Sequence, residues 1–210
     1  MMPAARCLDS LQVFDSSPQV LADILRDDVN LAVWQRQLPP QLQDFASLVV
    51  GLHPLLADER VIEVDEHEAP VLAALLAGAA DVYGYEAFVA DVTWLIAAYT
   101  CLLGARRIGV RLRVLEAAMC PRFHVDHVPL RLLTTYTGAG SEWLEEGSVN
   151  RARLQAETPP VDKIRRLCTG DVCLLKGEKF QGNEGHGIIH RSPDVPVGGR
   201  RLLLSLDWLA

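Results

Sequence analysis

Cys120-Pro-Arg-Phe-His124-Val-Asp126-His127 gathers metal-ligating side chains into a short stretch between two strand-like runs, and its reading decides how the rest of the chain is arranged. Side chains alternate between faces along an extended segment, so His124 and Asp126 project to one side and Val125 to the other. One imidazole and one carboxylate then converge. A divalent ion held on one triangular face needs a third donor, and Gly185-His186-Gly187-Ile188-Ile189-His190-Arg191-Ser192-Pro193 supplies it in His190. Two imidazoles and a carboxylate leave about three of six octahedral positions open, as in non-haem Fe(II) centres that bind cosubstrate and oxygen together.

The flanking sequence is strand-like. Upstream, Ile108-Gly-Val-Arg-Leu-Arg-Val-Leu115 sets Arg111 and Arg113 against Val110, Leu112 and Val114, the period of a half-buried strand. Downstream come Arg131-Leu-Leu-Thr-Thr-Tyr136, a turn at Thr137-Gly-Ala-Gly140, a polar insertion from Trp143 to about Pro160, and then Asp171–Lys176, Gly187–His190 and Arg201–Trp208. Short strands separated by Gly- and Pro-bearing turns predict an antiparallel sandwich or barrel. His124 and His190 are far apart in sequence and cannot form a local finger, whereas a jelly roll returns distant strands to one mouth. The expected fold is α+β: a double-stranded β-helix (jelly-roll, cupin-like) core over residues 106–210, with a mainly helical region, residues 1–105, packed on its outside as part of one integrated domain.

Before Gly104 the periodicity is helical. Leu21–Leu25 and Leu42–Val50 fit short helices, and Pro70–Leu103 fits two, broken near Gly78 and Gly84, the second starting at about Glu86. Val89, Val92, Leu95, Ile96, Tyr99 and Leu103 form one stripe, read as core packing against a sheet. Trp94, His53 and His67 receive no site role.

Composition narrows the partners. The 210 residues are half apolar and carry a net charge of -7. There is neither a long uninterrupted apolar run nor a basic-then-apolar N-terminus, so a cytoplasmic protein with no membrane partner is expected. Five cysteines without CxxC spacing (Cys7, Cys101, Cys120, Cys168, Cys173) read as reduced thiols, with no role for Cys168 or Cys173. Residues 1–105 hold 4 basic and 15 acidic side chains, a net -11, and residues 106–210 hold 16 and 12, a net +4. The half with the metal candidates thus suits a small anionic partner. Without a basic cluster interleaved with aromatics, nucleic acid is not the expected partner.

His124-Val-Asp126, the distal His190 and an arginine at 200 or 201 before the last strand resemble the HxD…H…R pattern of Fe(II)/2-oxoglutarate dioxygenases. Leu130–Tyr136 resembles the prolyl-hydroxylase-like branch. Over more of the chain, Cys120–Asp126, Gly138-Ala-Gly-Ser-Glu-Trp143-Leu, Gly170-Asp-Val-Cys-Leu-Leu-Lys-Gly-Glu178 and His190-Arg-Ser-Pro193 resemble a bacterial family, the domain of unknown function numbered 1826. That family implies no established activity, and some members are associated with zinc-responsive genes.

The dioxygenase resemblance implies that His124, Asp126 and His190 hold Fe(II), that 2-oxoglutarate chelates the ion, that its far carboxylate meets a guanidinium, and that an unknown substrate is hydroxylated. Arg201 is preferred for the cosubstrate because its strand face, with Leu203, Ser205 and Asp207, is the more polar one; Arg200 leads the apolar face. Tyr136 and Arg131 are supplementary cosubstrate candidates. Cys120 opens an alternative, a closed zinc site with His124, His186 or His190, and His127 is a further alternative ligand. The competing functions are a zinc-binding protein of metal homeostasis and a non-catalytic cupin-like binding module.

Overall fold

The structure, a computed structural model, describes residues 10–65, 70, 72, 75–154, 156 and 158–209. Cys7 and His67 lie outside the described residues. Ten strands run β1 (Leu11–Asp15), β2 (Val29–Trp34), β3 (Ala57–Glu63), β4 (Arg107–Leu115), β5 (Leu130–Thr137), β6 (Glu142–Leu144), β7 (Ile164–Arg166), β8 (Val172–Lys176), β9 (His190–Arg191) and β10 (Arg201–Trp208). The two α-helices are α1 (Pro40–Leu52) and α2 (Tyr85–Leu103).

Seven strands make a large sheet in the order β1-β2-β8-β5-β10-β4-β3, and three make a small one, β7-β6-β9. All pairs are antiparallel except β1 with β2. The strands carry two separate faces because side chains alternate. Val110, Leu112, Leu130, Leu132, Leu202, Leu204 and Leu206 enter one core with Phe45 and Val49 of α1 and Phe88, Val92, Leu95, Ile96 and Tyr99 of α2. Leu133, Cys173, Leu175 and Leu203 face the other way, into a second core with Trp143 of the small sheet. Each fully buried Leu or Phe contributes about 2–3 kcal/mol of transfer free energy, so the helix-side core dominates stability while the smaller core sets the spacing between the sheets.

Local sequence explains the helix ends. Pro40 starts α1 with its φ already helical, and Gly104, at φ 59, closes α2 in the left-handed conformation that glycine tolerates. Gly84, at φ 87, precedes α2, and a Cβ there would lie 2.5 Å from Gln41 O, so only glycine lets the two helices approach. α2 is long and apolar enough to cross a membrane by length and composition, a property it shares with helices buried in a core.

Several expectations need correction. The boundary at residue 105 does not separate helix from sheet, since β1, β2 and β3 all come from before it and join the large sheet. Of the first helix expected after Pro70, the described residues show only a 3-10 turn at Ala77–Ala79, entered through Leu76 at φ 51. The insertion expected from Trp143 starts later, because Glu142, Trp143 and Leu144 form a buried strand. The strand expected over Gly187–His190 reduces to His190–Arg191.

Candidate metal centre

His124 and His190 exchange both backbone hydrogen bonds, each 3.0 Å long, so the segment entering the HxD motif lies along the free edge of β9. Ser192 N donates to Cys120 O at 2.9 Å and continues the ladder. On its other edge β9 pairs His190 with Trp143. The two imidazoles are thereby set by backbone pairing, with ring centroids 4.6 Å apart. Val125, between the ligands, turns to the opposite face, where it packs against the small cluster of Phe123, Leu144 and Ile189.

Asp126 completes the group. Its Oδ1 lies 3.6 Å from His124 Nε2 and its Oδ2 lies 3.4 Å from His190 Nε2. One donor atom from each of the three residues falls within 4.8 Å of the others. Adjacent ligands each about 2.1 Å from one ion sit about 3 Å apart, so a small closure would bring these donors onto a common centre. The tautomers are set for this. His124 Nδ1 is 3.0 Å from Arg122 O and His190 Nδ1 is 3.2 Å from Ile188 O. A carbonyl only accepts, so each Nδ1 carries the hydrogen and each Nε2 turns its lone pair toward Asp126.

Burial alone would raise the Asp126 carboxyl, but the facing imidazoles of His124 and His190 and the Arg131 guanidinium hold it well below the usual carboxylate range. The same carboxylate raises His124 against the opposing effect of partial burial. Arg131 donates from Nη1 to Asp126 Oδ2 at 2.7 Å and from Nε to Asp207 Oδ1 at 2.6 Å, and Arg111 pairs with the second oxygen of Asp207. Two glycines press the motif into place. A Cβ on Gly187 would lie 2.3 Å from Val125 Cγ1, and one on Gly177 would lie 2.1 Å from Val128 O. Sequence reading passed over both, although glycines beside a ligand-bearing segment were the available signal.

Arg201 is only 1% exposed at the start of β10. Its Nη2 donates to Thr135 Oγ1 at 3.3 Å and to Ser141 Oγ at 3.4 Å, while Nε and Nη1 are buried without a partner among the described residues. Burial pushes the guanidinium down to about 10; the charge of Arg166 adds to this and that of Glu142 opposes it. It is still charged at neutral pH. Gly138 makes room for it, since a Cβ there would lie 2.8 Å from Arg201 Cγ. Ser141 also lines the pocket that His124, His190 and Arg131 open onto, which links the arginine to the donor group. Thr135, in β5, and Ser141, just before β6, escaped sequence reading because single hydroxyl residues carry no distinctive pattern.

The other sequence candidates divide. Arg131 belongs to the site, but its donors go to Asp126 and Asp207. Arg200 does not belong: it turns outward to Glu116 at 2.8 Å and Val50 O at 3.2 Å. Tyr136 is one residue out of phase with Arg131 and Thr135, faces the helices and donates to Asp91 Oδ2 at 2.6 Å. Cys120 lines the pocket, but its thiol is not in the donor group; His186 lies 3.5 Å from Ser10 Oγ, and His127 is exposed.

Residues 15–207 match the family model described as "Protein of unknown function (DUF1826)". No match is found among curated proteins. Among solved structures, the chain is similar to the dioxygenase for auxin oxidation of rice, with 14% identity and a TM-score of 0.54 over 96% of this chain and 83% of that one. It is also similar to a Pseudomonas putida prolyl-4-hydroxylase, with 12% identity and a TM-score of 0.45 over 90% of this chain and 96% of that one. A third similar structure is the 2-oxoglutarate complex of Arabidopsis thaliana dioxygenase for auxin oxidation 1, with 12% identity and a TM-score of 0.44 over 83% and 73%. The likeness to the rice protein shows the fold: mixed α+β, with sheets arranged as in that dioxygenase.

Proposed function

The chain belongs to the DUF1826 family, and from that premise we propose that it is a non-haem Fe(II)- and 2-oxoglutarate-dependent oxygenase that hydroxylates a substrate. Arg201 carries this reading: a charged guanidinium is buried with two unpaired nitrogens and bonded to Ser141, which lines the same pocket as His124 and His190 of the donor set. Burying such a cation without a partner is costly, and an anion seated on it removes the cost. With Fe(II) and 2-oxoglutarate bound, dioxygen would be the oxidant: one of its atoms would enter a substrate C–H bond, and the other would pass to 2-oxoglutarate as it loses CO2 to leave succinate.

The remaining roles belong to the chain. His124, Asp126 and His190 hold the ion, with Asp126 oriented by Arg131. Arg201 binds the far carboxylate of 2-oxoglutarate, and Thr135 and Ser141 fix the angle of its guanidinium. Leu133 and Leu203 wall the pocket and keep water from it. The zinc and non-catalytic readings both leave the buried donors of Arg201 without an anion, and the zinc reading also needs the Cys120 thiol, which lies outside the donor group.

The test is a paired titration of Co(II), as an Fe(II) surrogate, and of 2-oxoglutarate. Asp126→Ala should abolish metal binding. Arg201→Ala should leave metal affinity in place and weaken 2-oxoglutarate by about tenfold or more, and Cys120→Ser should change neither. Tight zinc binding that needs Cys120, with no binding of 2-oxoglutarate, would overturn the proposal.

A further inference from the structure

The pocket beside the triad also bears on the substrate, an inference that rests on the oxygenase reading and narrows it. On β4, Val110, Leu112 and Val114 face the helices, so Arg111 and Arg113 face the pocket. Pairing sets Arg111 against Ser205 and Arg113 against Leu203 of β10, one strand away from the Arg131 that orients Asp126. Arg111, Arg113, Arg131 and Arg191 all line this pocket, and no carboxylate does so among the described residues.

These four arginines are not equally committed. Arg131 spends its donors on Asp126 and Asp207, Arg191 pairs with Glu142 and lies over the Phe123 ring, and Arg111 places one terminal nitrogen on the second oxygen of Asp207, leaving its others free among the described residues. Arg111 and Arg113 are the accessible pair, with side chains 37% and 32% exposed. The Glu59 carboxylate that meets Arg113 is 50% exposed, so water and incoming anions compete with it readily. Two polar atoms remain without partners here: Arg113 Nε is buried and unpaired, and so is Ser205 Oγ, on a residue only 9% exposed at the pocket wall. A cationic ligand would meet like charge. A neutral one accepts from these donors without answering their positive charge.

We propose that the primary substrate is a small carboxylic acid whose carboxylate sits on Arg111 and Arg113 with Ser205 Oγ donating to it, and whose carbon skeleton lies against Met119, Leu133 and Leu203. Planar guanidinium groups match a carboxylate in both charge and shape. This seat is distinct from that of 2-oxoglutarate, because Arg201 lies four residues from Ser205 along β10, about 13 Å at strand rise.

The test uses the full chain without metal, titrated calorimetrically with hexanoate and with hexanamide, which differ in charge and little in shape. Hexanoate should bind about tenfold or more tightly. Arg113→Gln and Arg111→Gln should each erase most of that preference, and Arg26→Gln, an equal change of charge far from the pocket, should preserve it. Saturating 2-oxoglutarate should leave hexanoate binding in place. Equal affinity for the acid and the amide in the wild-type protein overturns the proposal without recourse to any variant. So does displacement of hexanoate by 2-oxoglutarate together with loss of hexanoate binding in Arg201→Gln, since that places hexanoate in the cosubstrate seat. Co(II) titration of the same preparation keeps the two readings apart: absent metal binding sinks the oxygenase and leaves the anion seat, whereas equal affinities sink the seat and leave the oxygenase.

Discussion

Arg131 Nη1 donates to Asp126 Oδ2 at 2.7 Å, and through this bond the large sheet holds one donor of a group whose other two members are set by the small sheet. Arg131 stands on β5 and is braced by Asp207 of β10. His124 and His190 are fixed by backbone pairing along β9. The triad therefore straddles both sheets, and its geometry reports on how they pack.

Replacing Arg131 tests that link. Arg131→Gln should weaken Co(II) affinity by about 10- to 100-fold, the usual cost of losing the group that orients a ligand. It should also cost about 3 kcal/mol in urea unfolding, because the Asp207 side chain, 3% exposed, loses one of its two cations. Arg131→Lys should rescue little, since one ammonium cannot reach two carboxylates in a fixed fork. Wild-type metal affinity in both variants would show that Asp126 needs no such support.

Glu142 gives a pH-dependent prediction. Burial alone would raise its carboxyl, but Arg166 and Arg191 hold it below the usual range. Its folded value therefore lies beneath the unfolded one of about 4.3, so its contribution is complete above that pH and fades as pH falls through the interval down to the folded value. Urea unfolding should show Glu142→Gln less stable than wild type by about 2 kcal/mol at pH 7. The gap should narrow as pH falls below about 4.3. A gap that stays constant with pH would mean that Glu142 acts through packing alone.

The grouping of His124 and Asp126 was legible because their spacing is local: HxD in an extended segment puts two donors on one face wherever the segment lies. The alternation of β4 and β10 was legible too, and the preferred arginine, Arg201, is the one of the two that the structure buries beside Thr135 and Ser141. Tyr136 was misplaced because Leu132-Leu133 and Thr134-Thr135 set like residues on opposite faces of β5, with Leu132 toward the helices and Leu133 toward the pocket, which erases the period that would have shown its side. β2 was missed for the same reason. Val29-Asn-Leu-Ala-Val-Trp34 is covered on both faces and reads as an apolar run without alternation. The partners of Arg131 and Arg201 were beyond reach, because they depend on strand register, which sequence alone does not set.

The placement of Tyr136 can be checked directly. Its hydroxyl donates to Asp91, which Arg36 also grips through both terminal nitrogens of its guanidinium. Tyr136→Phe should cost about 1.5–3 kcal/mol, as loss of a buried hydrogen bond to a charged group does. Affinities for Co(II) and 2-oxoglutarate should not move, because the residue lies across the sheet from the pocket. A selective loss of 2-oxoglutarate binding would return Tyr136 to the site.

Arg201 should show opposite effects on stability and on binding. In the absence of an anion its guanidinium is buried with Nε and Nη1 unpaired, and Thr135 and Ser141 offer only two long, neutral hydrogen bonds to the third nitrogen. A flexible apolar side chain of similar length removes that burden, so Arg201→Met should be neutral or more stable than wild type by about 1–4 kcal/mol in urea without ligand. The balance shifts toward wild type when 2-oxoglutarate is present. A ligand that binds only the folded state adds about 2.7 kcal/mol at a hundred times its Kd; wild type should gain that increment while Arg201→Met gains almost none. The measurement is a pair of unfolding curves for each protein, with and without 2-oxoglutarate, at one fixed metal concentration. A structural arginine would behave otherwise: its replacement would destabilise the ligand-free protein and leave the 2-oxoglutarate increment intact, and that outcome would remove the main support for reading this site as an oxygenase.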